Sequence, residues 1–168
     1  MAAIATSGLT GGCQCGAVRY ALHAPPTNPH ICHCRMCQKA FGSFFAPLAG
    51  VPVEAFELTR GALSLFKSSD QTERGFCRDC GTPLTFHYVG SPRIAFSIGS
   101  LDEPVKVKPA KQYGIESRLP WFAALPGLPG DRTTEEDEPA LAARIRASNH
   151  QHPDHDTEAW PPAGRTHG

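Results

Sequence analysis

Seven cysteines in a 168-residue chain fall into three short clusters: Cys13-Gln14-Cys15, Cys32-His33-Cys34-Arg35-Met36-Cys37 and Cys77-Arg78-Asp79-Cys80. This spacing constrains the fold most, because sulfurs two or three residues apart converge on one point only in particular backbone shapes. An odd number cannot pair off completely as disulfides. The start, MAAIATSGLTGG, has neither a basic n-region nor a long apolar h-region, and no run approaches the roughly 20 apolar residues of a membrane span. A cytoplasmic protein is therefore expected, and in a reducing compartment clustered cysteines turn toward metal binding or catalysis. Buried, unligated thiols account poorly for CxC, CxCxxC and CxxC in one chain.

Lys plus Arg equals Asp plus Glu at 16 each, so the chain carries no overall charge footprint for nucleic acid or an anionic membrane. No basic stripe with interleaved aromatics is present either, which argues against a nucleic-acid-binding zinc fold. The length suits one domain. From Ala17 to about Ile115 the signals are short and strand-like, predicting a mainly β architecture with strands at Ala17 to Leu22, Val53 to Thr59, Leu63 to Lys67, Leu84 to Val89 and Arg93 to Gly99. Gly90-Ser91-Pro92 predicts a hairpin between the last two, and Gly61 a second hairpin. One helix is expected from Glu135 to Ala147, with Thr134 as N-cap and Leu141 and Ile145 on an apolar edge. The proline-rich stretch Leu119 to Asp131 reads as an irregular loop or lid. Residues 150–168, with His150, His152 and His155 among Asp and Pro, read as a polar, loosely held tail.

The two outer clusters suggest a closed site. Cys13 and Cys15, two apart on an extended segment, face one side, and the Cys77 to Cys80 turn with Gly81 brings two more sulfurs together. Four thiolates about 2.3 Å from a zinc ion would staple the N-terminal strand to the later sheet. The middle cluster then has three ligands, Cys32, Cys34 and Cys37, and three ligands leave a position free, as catalytic zinc sites do. His33 would point away from its neighbours. A remote His23, His30 or His87 closing this site remains the alternative, and would make it a second staple. Three thiolates on Zn²⁺ give a net charge of −1, so an open site of this kind is less suited to activating water than to accepting another sulfur.

The segments Gly11-Gly12-Cys13-Gln14-Cys15-Gly16-Ala17-Val18-Arg19-Tyr20, Cys32-His33-Cys34 with Cys37 and Gly42, and Phe76-Cys77 with Cys80-Gly81-Thr82-Pro83-Leu84 resemble the glutathione-dependent formaldehyde-activating enzyme family, whose domain also occurs in centromere protein V. The likeness spans about residues 8 to 130, leaving 131–149 for the helix and 150–168 for the tail. It implies a β-tent fold and two zinc ions, with Cys13, Cys15, Cys77 and Cys80 matching the structural site and Cys32, Cys34 and Cys37 the catalytic one. It implies a carbon-sulfur lyase type of chemistry, in which glutathione and formaldehyde form S-hydroxymethylglutathione. The expected partners are thus a small-molecule thiol and an aldehyde.

Glutathione carries two carboxylates, so cations near the open site are the candidates to receive them. Arg35 and Lys39 lie beside the cysteines, and Arg118 precedes Trp121, a candidate wall. The competing reading is a zinc-stabilised protein-interaction module in which the second metal is inert.

Overall fold

The computed structural model describes residues 8–132 and 138–161. In chain order the elements are β1 (Leu9–Gly12), β2 (Arg19–Leu22), β3 (Thr27–Cys32), α1 (Arg35–Phe41), β4 (Ala46–Pro52), β5 (Phe56–Arg60), β6 (Ser64–Ser69), β7 (Thr72–Phe76), β8 (Pro83–Tyr88), β9 (Arg93–Ser97), β10 (Lys111–Tyr113) and α2 (Pro139–Ser148). They form a three-stranded sheet, β1-β2-β5, and a seven-stranded sheet, β10-β3-β4-β9-β8-β7-β6. Every pairing is antiparallel except β10 with β3. The chain is mainly β with a C-terminal helix, as its short alternating segments predict.

The core lies where the sheets meet. Tyr20 and Leu22 from the small sheet pack with Val51, Leu84 and Phe96 from the large one, and each is essentially removed from solvent. Burying a side chain of that size contributes roughly 1.5–3 kcal/mol. Tyr20 stacks on Phe56 at 4.9 Å, and its hydroxyl bonds Ser100 Oγ at 2.8 Å, so its one polar atom is satisfied. Cys13 and Cys77 belong to the same cluster. A smaller apolar cluster, Cys37, Ala46 and Leu48 with Phe41 and Phe86 against it, lies under the middle cysteines.

The Gly90-Pro92 hairpin forms between β8 and β9, with Ser91 N–H donating to the Tyr88 carbonyl. The hairpin expected at Gly61 does not. β5 pairs with β2 in the small sheet and β6 with β7 in the large one. Gly61 instead carries the chain between sheets at φ +68°, where a Cβ would lie 2.1 Å from the Ala17 carbonyl oxygen. The segment Val53–Ala55 is a 3₁₀ turn, so β5 begins later than its sequence pattern suggests. The stretch from Leu119 stays irregular apart from a 3₁₀ segment, Phe122–Gly127. α2 begins at Pro139, the position where a missing N–H costs least. Thr134 and Glu135 lie outside the described residues. Ala142 is the buried contact of α2, while Ile145 is 51% exposed, so the expected Leu141/Ile145 edge is not what packs.

Candidate metal centres

Two loops position the first cluster. The Cys13 N–H donates to the Val18 carbonyl and Gly16 N–H to that of Cys13, closing the CxC loop after β1. In the second loop, between β7 and β8, Gly81 N–H donates to the Cys77 carbonyl and Cys77 N–H to that of Thr82. The sulfurs of Cys13, Cys15, Cys77 and Cys80 consequently lie within 4.8 Å of one another. Cys13 and Cys15 Sγ are 3.6 Å apart, and Cys15 and Cys77 Sγ 3.9 Å. A tetrahedron with metal-sulfur bonds of about 2.3 Å has edges of about 3.8 Å, so these separations fit such an ion. Val18 N–H reaches Cys13 Sγ at 3.2 Å, supporting a charged sulfur from outside the ligand set.

Burial pushes the Cys77 thiol up to about 11 and also raises that of Cys15. Burial acts on Cys80 in the same sense, but the Thr82 hydroxyl and N–H and the Cys15 backbone outweigh it and pull that thiol down to about 6. These contacts favour the thiolate form at Cys80, and a cation would displace the protons that burial holds on Cys15 and Cys77.

Residues 150–161, expected as part of a loose tail, lie against this cluster. His152 N–H donates to the Gln14 carbonyl, Trp160 Nε1–H to that of Cys15, and Arg60 to the Thr157 carbonyl. Asp156 pairs with Arg19, which also holds Asp102 through two bonds of 2.5 and 2.8 Å. His152 is 5% exposed, and its ring covers Gly16, where a Cβ would meet it at 2.1 Å. Polar composition concealed this docking, since the contacts are scattered hydrogen bonds, one ion pair and a lone Trp160 against the core, which leave no apolar period.

The middle cluster is built differently. Cys32 ends β3, and Cys34, still extended at φ −57° and ψ 148°, is the N-cap of α1, accepting the Cys37 N–H at 3.4 Å. The first turn of α1 returns Cys37 to the same point, so the three sulfurs lie within 4.8 Å of one another. Gly42, in the left-handed conformation, ends the helix. Seven residues are too few for helical periodicity to show in the sequence, although the cap and Gly42 mark its ends. Burial raises the Cys37 thiol and pushes Cys32 up to about 12. At Cys34 burial is outweighed by the Cys37 N–H, the neighbouring thiols and Arg74, and that thiol is lowered.

Among the described residues no histidine joins this group. His23 Nε2 is on Glu57, His30 Nδ1 on the Asn28 carbonyl and His87 Nε2 on the Ser91 carbonyl. His33 is fully buried on the other side. Its Nε2–H donates to Gln112 Oε1 at 2.9 Å, and its ring meets Phe122 edge-on at 4.6 Å. The Gln38 amide donates to the His33 and Ser117 carbonyls, tying α1 to both neighbouring segments.

Cys32 and Cys37 open onto a cavity of about 480 Å³ whose wall includes His30, Phe86, Arg93 and Tyr113. Arg35, Lys39, Arg118 and Trp121 are not among the residues lining it. Arg35 bonds Gln38 on α1, Lys39 lines a separate groove, Arg118 is exposed, and Trp121 packs edge-on against Phe44. The sequence reading missed Arg74, whose Nη2 is 3.6 Å from Cys37 Sγ. No local pattern links two residues 37 positions apart.

A family model described as glutathione-dependent formaldehyde-activating enzyme matches residues 8–117, which contain both cysteine clusters and the cavity. The chain belongs to that family. The stretch of family likeness ends before α2 and the docked C-terminal segment. A Phaeosphaeria nodorum protein is 32% identical over 74 residues, 43% of this chain and 39% of that protein, and a Penicillium rubens protein is 33% identical over 76 residues, 43% and 40%. Both carry the name "Putative glutathione-dependent formaldehyde-activating enzyme". The chain spans about two fifths of the length of these curated relatives. A crystal structure of a Rhodobacter sphaeroides protein matches with a TM-score of 0.50 and 23% identity, covering 61% of this chain and 98% of that one, and shows a common fold. No helix among the described residues is long and apolar enough to cross a membrane.

Proposed function

We propose that the chain is a zinc-dependent enzyme of the carbon-sulfur lyase type, joining a glutathione-like thiol to a small aldehyde such as formaldehyde. One observation carries this reading: three sulfurs converge at the wall of a small-molecule-sized cavity, while the other four form a complete ligand set. Zinc held by Cys32, Cys34 and Cys37 would supply a soft, sulfur-accepting seat for a bound thiol.

The protein's own residues do the rest. The Cys34 cap and the Gln38 bonds hold the three sulfurs in register, so little reorganisation is needed when a metal or substrate enters. Phe86, Ile94 and Ala95 give the cavity an apolar wall that keeps bulk water from competing with the thiol. Arg93 and His30 supply polar groups there, suited to the carboxylates of a peptide thiol. In the reaction a carbon-sulfur bond forms, the carbonyl π pair moves to oxygen, and the thiol proton ends on that oxygen to give the S-hydroxymethyl product. Cys13, Cys15, Cys77 and Cys80 act as the structural staple.

The test is to measure by NMR exchange the interconversion of glutathione plus formaldehyde with the adduct, with and without protein. Acceleration by the wild type, abolished by Cys34→Ser with the fold retained, is expected. No acceleration by a protein carrying two equivalents of zinc would sink this reading for that substrate pair.

A further inference from the structure

Arg74, on β7, is 7% exposed, and its guanidinium carbon lies 4.9 Å from the Phe86 ring centroid. Nη2 reaches Cys37 Sγ at 3.6 Å and Nε reaches Ser68 Oγ at 3.3 Å, while Nη1 is buried with no hydrogen-bond partner. Arginine does not shed its proton in a protein, so a buried guanidinium needs a compensating anion. The ion pairs among the described residues do not include Arg74. The negative group beside it is the three-sulfur cluster.

Charge arithmetic gives this placement a consequence. Three thiolates and a divalent ion sum to −1. A fourth, anionic sulfur makes the total −2, whereas a neutral fourth ligand leaves it at −1. A fixed positive charge in a poorly solvated setting favours the more negative state. We propose that Arg74 is the specificity-determining residue of the three-cysteine site, its buried charge beside Cys37 selecting an anionic sulfur over a neutral ligand at the open position. This inference rests on the open-site reading above. The role differs from that of the cysteines, because Arg74 acts through the charge of the cluster and does not complete it.

The test uses full-length protein with cobalt in the three-cysteine site, titrated separately with 2-mercaptoethanol and with imidazole while the cobalt absorption bands are followed. In Arg74→Met, thiol affinity should fall about 10- to 100-fold, the scale of a close charge interaction in a poorly solvated setting. Imidazole affinity should stay the same, and Arg74→Lys should restore most of the thiol preference. If thiol and imidazole affinities fall together, Arg74 is only a packing residue, and if neither falls it has no role in selection. Either result overturns the inference while leaving the open site standing. A wild type that takes up neither ligand overturns the open-site reading and this inference with it. Should Arg74→Met not fold, Arg74→Gln removes the charge while keeping a polar group, and the same comparison decides.

Discussion

Cys77 and Cys34 are both metal-ligand candidates, yet their surroundings separate them. Cys77 is fully buried in the main core and links the β7–β8 loop to the CxC loop 62 residues away, whereas Cys34 serves a site made within one six-residue stretch. Loss of a ligand from a staple joining distant segments removes folding energy. Cys77→Ser should therefore lower the melting temperature by roughly ten degrees or more, on the scale of about 2–4 °C per kcal/mol for a chain of this size. Cys34→Ser should melt within a few degrees of the wild type but retain about one metal ion per chain by elemental analysis, half the expected two. Equal destabilisation by the two substitutions would favour two structural sites and the interaction-module reading. Asp102 offers a separate check. Burial would raise its carboxyl, but hydrogen bonds from Arg19 and Thr10 prevail and hold it below the usual range. A depressed folded-state value gives stability that is full above the unfolded value of about 3.9 and is lost as pH falls through the folded one. The difference in urea midpoint between wild type and Asp102→Asn should hold steady from about pH 8 to about 5 and shrink below about 4. A difference independent of pH would show that the ion pair adds nothing.

At the level of elements, α1 is the piece on which the three-sulfur cluster depends. It is short, so intrinsic helix stability contributes little, and its position comes from Gln38, which is 4% exposed and satisfies two carbonyls on different segments. Gln38→Leu would leave both carbonyls without that donor, at a cost of about 1–3 kcal/mol each. The expected result is a melting temperature lower by roughly 4–24 °C and weaker cobalt binding at the three-cysteine site, with the four-cysteine site unchanged. Cobalt titration of the two sites by their absorption bands measures this. Equal weakening of both would mean that α1 supports the whole molecule and not one cluster. The strands show why some elements were legible and others not. β8 and β9 flank an obvious turn, and the sequence marks them. β4 is a central strand, but Pro47, Gly50 and Pro52 disguise it, and β3 is interrupted by Pro29. The β3–β4 ladder is irregular between Thr27 and His30, so Pro29 sits where the missing donor interrupts no regular pairing.

Across the whole molecule, the described C-terminal segment closes over the four-cysteine cluster from far along the chain. Trp160 and His152 bond the backbone of the CxC loop itself, so removing residues 149–168 would uncover Cys15 and Gly16. Such a truncation should speed the loss of metal from that site to a chelator several-fold, as buried bonds become open to attack. Chelator kinetics on metal-loaded protein, with and without the segment, would show it, and identical rates would mean that the segment merely rests on the surface. The sequence by itself determined that the chain is mainly β and that its cysteines divide into a set of four and a set of three, because ligand spacing is a local property of the backbone. It did not determine which sheet each strand joins, since a turn signal at Gly61 marks a change of direction without naming the strand beyond it. Nor could it place Arg74 against Cys37, Phe86 beside the cavity or Trp160 against Cys15. Those neighbours are brought together only when the two sheets pack, and a single polar contact over such distances leaves no period or motif in the chain.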